Sequence, residues 1–234
     1  MNTHTPAKRA GLIETAFQKL LTRSAQVVEV EDIGSNFRLV TLAGDDLCGV
    51  DWTPGDKIQV SLAGWVRRTY TPIDWDAVDG RTRILIYLHG DAPGTRWART
   101  LRAGDNCAFF GPRKSVRLAP SASPVILSGD ETALGLAAAL ASQASLHMLC
   151  EVSARADVMA VIDRLQLEQV QLVGPGESAA ALVALLRTQP MADLVLTGQG
   201  GAIQQISRQL RTEGVDPTRR QSKAYWVTGK TGLD

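Results

Sequence analysis

From residue 125 onward the chain alternates short apolar runs with helix-forming stretches, and this alternation restricts its fold more than any other feature. Residues 125–127, 146–151, 169–173, 194–197 and 224–227 read as strands, and 131–143, a stretch from Asp157, 178–187 and 202–213 read as the helices between them. Apolar strands joined by helices need cover on both faces, which predicts a parallel, doubly wound sheet. Such sheets bind ligands at the carboxyl ends of their strands. The first half has another texture. Short β-type runs at 26–30, 37–42, 57–62, 84–88 and 107–110 are separated by turn signals at 32–36 and 53–56. They predict an antiparallel barrel, interrupted by one helix from Pro93 to about Leu101. A Pro- and Ser-bearing connector, 112–124, joins the halves. The expected fold class is thus a β-barrel plus α/β: an extension over 1–24 with an amphipathic helix at 7–22, an antiparallel barrel over 25–117, and a nucleotide-binding-like α/β domain over 118–234.

Composition narrows the function by exclusion. The net charge of +1 on 234 residues points neither to nucleic acid nor to an anionic membrane. No run of ~18 apolar residues is present to span a bilayer, and the N-terminal stretch lacks the apolar core of a secretory signal. Cys48, Cys107 and Cys150 are odd in number and widely spaced. That argues against a disulfide framework and for a reducing, cytoplasmic setting. They also lack iron–sulfur spacing. His4, His89 and His147 are scattered, so no metal site is expected.

Three segments carry the chemistry. In Arg68-Thr69-Tyr70-Thr71 the tyrosine can stack on a flavin ring, the Thr71 hydroxyl can reach the ring's N5 or O4 edge, and Arg68 can pair with a phosphate. The same residues also suit a strand with cross-strand aromatic packing. In Gly94-Thr95-Arg96-Trp97-Ala98 a helix start with Thr95 as its N-cap offers free amides to a pyrophosphate. A capped helix without a ligand is the plain alternative. His89 ends the strand upstream and faces either the same cleft or the core. Ser128-Gly129-Asp130-Glu131-Thr132-Ala133 joins a buried strand to an Ala-rich helix without the G-x-G-x-x-G fingerprint. Its acidic pair would repel a pyrophosphate, so it suits ribose, nicotinamide or flavin, or simple capping by Asp130 with Glu131 favoured by the helix dipole. Thr197-Gly198-Gln199-Gly200-Gly201 is a second glycine-rich turn at a strand end. In Ala224-Tyr225-Trp226-Val227 the two aromatics of a strand should face opposite sides, one into the core and one able to shield a flavin. Glu151 would favour NADH through a ribose hydroxyl, and Arg155 would favour NADPH. Two nucleotide sites on one small chain suggest electron transfer from a nicotinamide through a flavin.

Taken together, these segments resemble a known family. Arg68-x-Tyr70-Thr71 looks like the flavin-binding R-x-Y-[ST] motif of the ferredoxin reductase superfamily. Within it, the run from His89 through Pro93-Gly94-Thr95-Arg96-Trp97-Ala98 to Gly104-Asp105 and Gly111-Pro112-Arg113 is similar to the siderophore-interacting protein family. Gly129-Asp130-Glu131-Thr132-Ala133-Leu134 resembles its G-D-E-[ST]-A-L signature, and Tyr225-Trp226 with Gly229 its terminal Y-W-x-x-G. Pro93-Gly94-Thr95 stands where the family has Gly-Pro-Ala-Ser. The resemblance implies a cytoplasmic FAD-dependent enzyme that reduces a ferric siderophore or other ferric chelate with NADH, NADPH or a redox protein as donor. Thr71 and Tyr70 are then the candidate catalytic residues. FAD and nicotinamide contacts are expected from Arg68, Thr69, Tyr70, Thr71, His89, Gly94, Thr95, Trp97, Gly129, Asp130, Glu131, Thr132, Tyr225 and Trp226. Arg67, Arg96, Arg99 and Arg113 are candidates for drawing in an anionic chelate. Two rivals stay open: a reductase of the same superfamily acting on free flavin or a protein, and a flavin-binding regulatory subunit without turnover.

Overall fold

β1 (Thr22–Ile33) is long enough to serve two partners, and the barrel is built around it. Its first residues pair antiparallel with β7 (Asn106–Arg113), and the rest pair with β2 (Phe37–Ala43). In the computed structural model, which describes residues 22–62, 66–119, 123–217 and 219–229, four further pairings extend this to seven strands. β3 (Lys57–Ser61), β4 (Arg67–Tyr70), β5 (Pro72–Asp76) and β6 (Arg81–Tyr87) complete the order β4-β3-β7-β1-β2-β6-β5. The two edge strands, β4 and β5, are consecutive in sequence with only Thr71 between them. Residues two apart lie within about 7 Å, so the sheet has to curl until its edges meet there. Alternate residues such as Ile84, Ile86 and Phe109 fill the interior. Helix α1 (Pro93–Thr100) plugs it with Ala98, followed by Leu101.

The second sheet comprises β8 (Val125–Asp130), β9 (Leu146–Glu151), β10 (Gln169–Val173), β11 (Asp193–Gln199) and β12 (Arg220–Trp226). Every pairing is parallel, in the order β10-β9-β8-β11-β12. The chain reverses its direction of strand addition between β8 and β11, which makes that junction the topological switch point. Strand alternation gives the sheet two apolar faces. Leu127, Met148, Cys150 and Val195 pack with α2 (Leu134–Ala141) and α3 (Arg155–Leu165). Ile126, Leu149, Leu194 and Leu196 pack with α4 (Ser178–Thr188) and α5 (Gly200–Thr212). This is the predicted doubly wound arrangement.

The α2/α3 layer also carries the barrel. Ile33, Phe37, Leu39, Ile73 and Val116 enter the same buried cluster as Leu134 and Leu136. At the rim, the Asp157 carboxylate accepts from the Ser35 amide at 3.1 Å and the Asn36 side-chain amide at 2.6 Å. Arg164 pairs with Glu31 at 2.7 Å, and Arg117 pairs with the buried Asp56.

Several expectations shift. The reading of 131–143 as one helix resolves into a 3-10 turn (Glu131–Ala133) followed by α2. α5 starts at Gly200 rather than 202 because the Gln199 side chain caps it, accepting from the Ala202 amide at 2.6 Å. The strand alternative for Arg68–Thr71 is realised as β4, whereas β5 is a strand that the sequence reading does not include. Both are half-polar edge strands with weak alternation. The predicted helix over 7–22 lies outside the described residues except for Thr22, which opens β1 instead. The antiparallel sheet ends at Arg113 and the parallel sheet begins at Val125. Among the described residues no helix is long and apolar enough to cross a membrane, and no His/Cys/Asp/Glu group is placed to hold a metal ion. Cys48, Cys107 and Cys150 are free thiols, and burial raises the pKa of the latter two.

Candidate functional site

A cleft opens where the β4–β5 junction, the start of α1 and the end of β12 converge. The order of strands explains the convergence. Thr71 is the residue at which the barrel closes, and α2 and β12 bring the carboxyl edge of the parallel sheet against it. Arg68, Thr69, Tyr70 and Thr71 all line the cleft, as do His89, Gly94, Thr95, Thr132, Tyr225 and Trp226. Ten of the residues singled out, from four separate stretches of the chain, therefore share one cavity.

The start of α1 differs from the expectation. Thr95 is not the N-cap: the helix begins at Pro93, behind Ala92, without a side-chain cap. The Thr95 hydroxyl is turned back to donate to the His89 carbonyl at 2.8 Å. Proline at the first position fixes the helical φ and removes one donor. The first bond of the helix runs from the Arg96 amide to the Ala92 carbonyl at 3.0 Å, leaving the Gly94 and Thr95 amides ahead of it. A Cβ at Gly94 would sit 3.1 Å from Arg68 Cγ and 3.3 Å from the Tyr70 hydroxyl. Glycine thus lets Arg68 lie across the helix start. A cation beside free first-turn amides is a physical fit for a phosphate group.

Tyr70 forms the adjoining wall. Its ring is backed by Trp97, with centroids 6.1 Å apart, so Trp97 supports the cleft without lining it. Burial raises the Tyr70 phenol well above its ordinary range, the Arg68 charge opposing this. Leu85 and Tyr87 on β6 and His89 just past its end recur at intervals of two, and all three line the cleft. His89 stacks on Tyr87 at 5.3 Å and lies 5.9 Å from Trp226.

Gly129, Asp130 and Glu131 stand one layer back, at the switch point. Asp130 caps its own turn by accepting from the Thr132 amide at 3.0 Å, and it also accepts from the Thr132 hydroxyl. Its second oxygen accepts from the Gln199 amide at 3.0 Å and the Trp226 indole at 2.8 Å. Glu131 is buried and accepts from the Ser153 amide and hydroxyl, both at 2.6 Å. The Thr197 hydroxyl, buried without a partner, lies 2.8 Å from where a Gly129 Cβ would be. Glu151 accepts from the Ser178 hydroxyl at 2.7 Å, while Arg155 is exposed at the start of α3.

The two aromatics of β12 do not point to opposite sides. Both line the cleft. The β11–β12 register slips between Gly198↔Ala224 and Gln199↔Trp226, leaving Tyr225 as an extra residue. A bulge of this kind re-aims the side chain it carries. Tyr225 is turned onto the core beside α2 and toward Thr71, with its hydroxyl 3.4 Å from Thr71 Oγ1.

The candidate arginines do not gather. Only Arg67 lines the cleft. Arg96 pairs with Asp91 at 2.8 Å, Arg113 lies over Phe110 and donates to Gln59, and Arg99 faces a separate hollow with Arg38 and Arg102. The cleft's other cations are Lys57, Arg68 and Lys223, and no carboxylate lines it among the described residues. Sequence reasoning missed Lys57 and Lys223. Lys223 stands on β12 just ahead of the Ala224-Tyr225-Trp226 motif, which was a usable signal, whereas Lys57 arrives only through the curl of the barrel.

Comparison with known proteins agrees with this geometry. Residues 61–116 match the siderophore-interacting FAD-binding domain. The chain is similar to the NADPH-dependent ferric-chelate reductase of Escherichia coli strain K12, at 26% identity over 240 residues, covering 87% of this chain and 92% of that protein. Its fold is similar to a siderophore utilization protein from T. fusca (TM-score 0.74, 26% identity, 91% of this chain and 95% of that one). It is also similar to the siderophore-interacting protein SipS of Aeromonas hydrophila (TM-score 0.71, 26% identity, 89% and 92%). Residues 61–116 thus carry the mark of a siderophore-interacting FAD-binding domain, and over nearly its whole length the chain is similar to proteins that reduce ferric chelates or interact with siderophores.

Proposed function

We propose that the chain is an FAD-dependent oxidoreductase that passes electrons from NADPH or NADH to Fe(III) held in a siderophore or similar chelate, releasing Fe(II) in the cytoplasm. The observation that carries this reading is the single cleft in which a phosphate-fitting helix start, an aromatic wall and four cations meet. Arg68 with the Gly94 and Thr95 amides would hold the FAD pyrophosphate. Tyr70, backed by Trp97, would support the ring, and Thr71 would meet its N5 edge. When bound, FAD supplies the conversion of two-electron hydride chemistry into single-electron steps. The chain's own residues bind, orient and shield. Tyr70 stays protonated and neutral at working pH, and Trp226, anchored by Asp130, covers the side facing the parallel domain. Arg67, Lys57 and Lys223 make the cleft attractive to an anionic chelate even though the chain as a whole is nearly neutral.

One observation favours a second reading of the electron source. At the switch point the amides that a pyrophosphate would use are already taken: Thr132 donates to Asp130, Gln199 donates to Asp130, and Ala202 donates to Gln199. A redox protein docking at the flavin edge would need none of them. The deciding experiment is the absorption spectrum of FAD-reconstituted protein before and after anaerobic NADPH or NADH, followed by ferric siderophore with a chromogenic Fe(II) trap. Bleaching by nicotinamide and then Fe(II) release supports the first reading. Absence of bleaching, with Fe(II) release once a reduced ferredoxin-type donor is supplied, supports the second. A chain that takes up no FAD refutes both.

A further inference from the structure

We infer that Tyr225 is a positioning residue that acts through Thr71, so that their two hydroxyls form a reversible pair matching the flavin ring edge in both of its redox states. The inference rests on the reading that FAD occupies the cleft. It starts from the bulge in β12. Without that extra residue Tyr225 and Trp226 would face opposite sides of the sheet. With it, Tyr225 reaches across the domain boundary to Thr71, the residue at which the barrel closes. The phenol is buried against the core, and burial pushes its pKa up to about 12, so it keeps its proton.

The chemistry follows from the hydrogen-bonding capacity of hydroxyls. Each has one proton to give and two lone pairs. When Tyr225 donates to Thr71 Oγ1, the Thr71 proton has to point elsewhere, and the open side is the cleft. Flavin N5 is an acceptor in the oxidised cofactor and a donor in the reduced one. The pair can run in one direction, Tyr225 to Thr71 to N5, and then reverse, with Thr71 accepting from the reduced ring and donating to Tyr225. No proton leaves either residue; only the direction of donation changes. A lone Thr71 hydroxyl would rotate freely and lose more toward the oxidised ring, whose N5 needs the Thr71 proton aimed at it, than toward the reduced ring, whose N5–H needs only one of the two Thr71 lone pairs. The arrangement costs the fold a bulge and the burial of a phenol, and the phenol's partner among the described residues is Thr71.

The test uses the whole protein reconstituted with FAD. Tyr225→Phe removes only the hydroxyl and keeps the packed ring, so the fold survives. Affinity for oxidised FAD is measured by fluorescence titration and the two-electron midpoint potential by dye equilibration, for wild type, Tyr225→Phe, Thr71→Ala and the double variant. Tyr225→Phe should weaken oxidised FAD binding by about two- to tenfold, the range for one neutral hydrogen bond, and raise the midpoint potential. In the Thr71→Ala background the same substitution should change neither quantity. A Tyr225→Phe variant matching wild type in both, or changes of equal size with and without the Thr71 hydroxyl, would overturn the inference while leaving FAD binding intact. If wild type itself takes up no FAD, the reading on which the inference rests fails, and the inference with it.

Discussion

Asp130 is the most heavily loaded side chain at the switch point, and Asp130→Asn isolates what its charge does. The carboxylate accepts four hydrogen bonds: from the Thr132 amide and hydroxyl on one oxygen, and from the Gln199 amide and Trp226 indole on the other. Asparagine keeps one oxygen. Its NH2 group then faces two donors, whichever way it turns. Two bonds to a charged acceptor are lost, each worth about 1.5–3 kcal/mol where buried, and a donor is left against donors. The residue is half-buried, and water reaching the site reduces the cost. We expect a net loss of about 2–4 kcal/mol, or roughly 5–15 °C in melting temperature for a chain of this size. The assay is urea unfolding of the cofactor-free protein, followed by tryptophan emission, which also reports release of Trp226. The structure further predicts that Asp130→Ala is little worse than Asp130→Asn, since the amide does not satisfy all four donors. An Asp130→Asn protein within about 0.5 kcal/mol of wild type, below the value of even one such bond, would refute the view that Asp130 holds this junction together.

Tyr70→Ala should weaken FAD binding by more than tenfold, combining the stacking gain of about 0.5–1.5 kcal/mol with the lost apolar area; a fluorescence titration matching wild type would remove Tyr70 from the site. Alkaline stability carries a sign. Tyr225 titrates near 10 when unfolded and near 12 when folded, so above pH about 10 the unfolded state loses a proton that the folded state keeps, and stability should fall as pH rises from about 10 to about 12. Tyr225→Phe should lessen that slope in pH-dependent urea titrations, with the buried Tyr70, Cys107 and Cys150, also raised, supplying the rest. Arg67→Glu should slow Fe(II) release from an anionic chelate and reduce the dependence of that rate on salt, while flavin reduction by nicotinamide stays near wild type; equal slowing of both half-reactions would place Arg67 elsewhere in the mechanism. Asp157→Ala should lower cofactor-free stability by about 1–3 kcal/mol through the Ser35 and Asn36 donors it strands, as read by thermal unfolding.

The doubly wound half was legible because its signals are local. The central apolar strand runs bury both of their faces, and each helix pattern lies next in sequence, so 125–127 and 194–197 fall inside β8 and β11. The motif residues were legible for a related reason: an arginine, an aromatic and a hydroxyl in one tetrapeptide declare their chemistry without a neighbour. What those residues touch is often set by distant chain: 154 residues separate Thr71 from Tyr225, and 69 separate Asp130 from Gln199. Thr95 has the composition of an N-cap, but Pro93 starts the helix earlier and the His89 carbonyl claims its hydroxyl. The four candidate arginines look equivalent in sequence, yet an aspartate, an aromatic ring and a helix end hold three of them away from the cleft. Tyr225 and Trp226 obey strand alternation until a one-residue slip against β11 turns both the same way. The sequence by itself determined the two layers, their order and the kind of chemistry at each turn, since hydrophobic period and residue type are properties of neighbours. Only the tertiary structure decided which side chains meet, because closure of the barrel at Thr71 and the register of β12 are set by packing between distant segments.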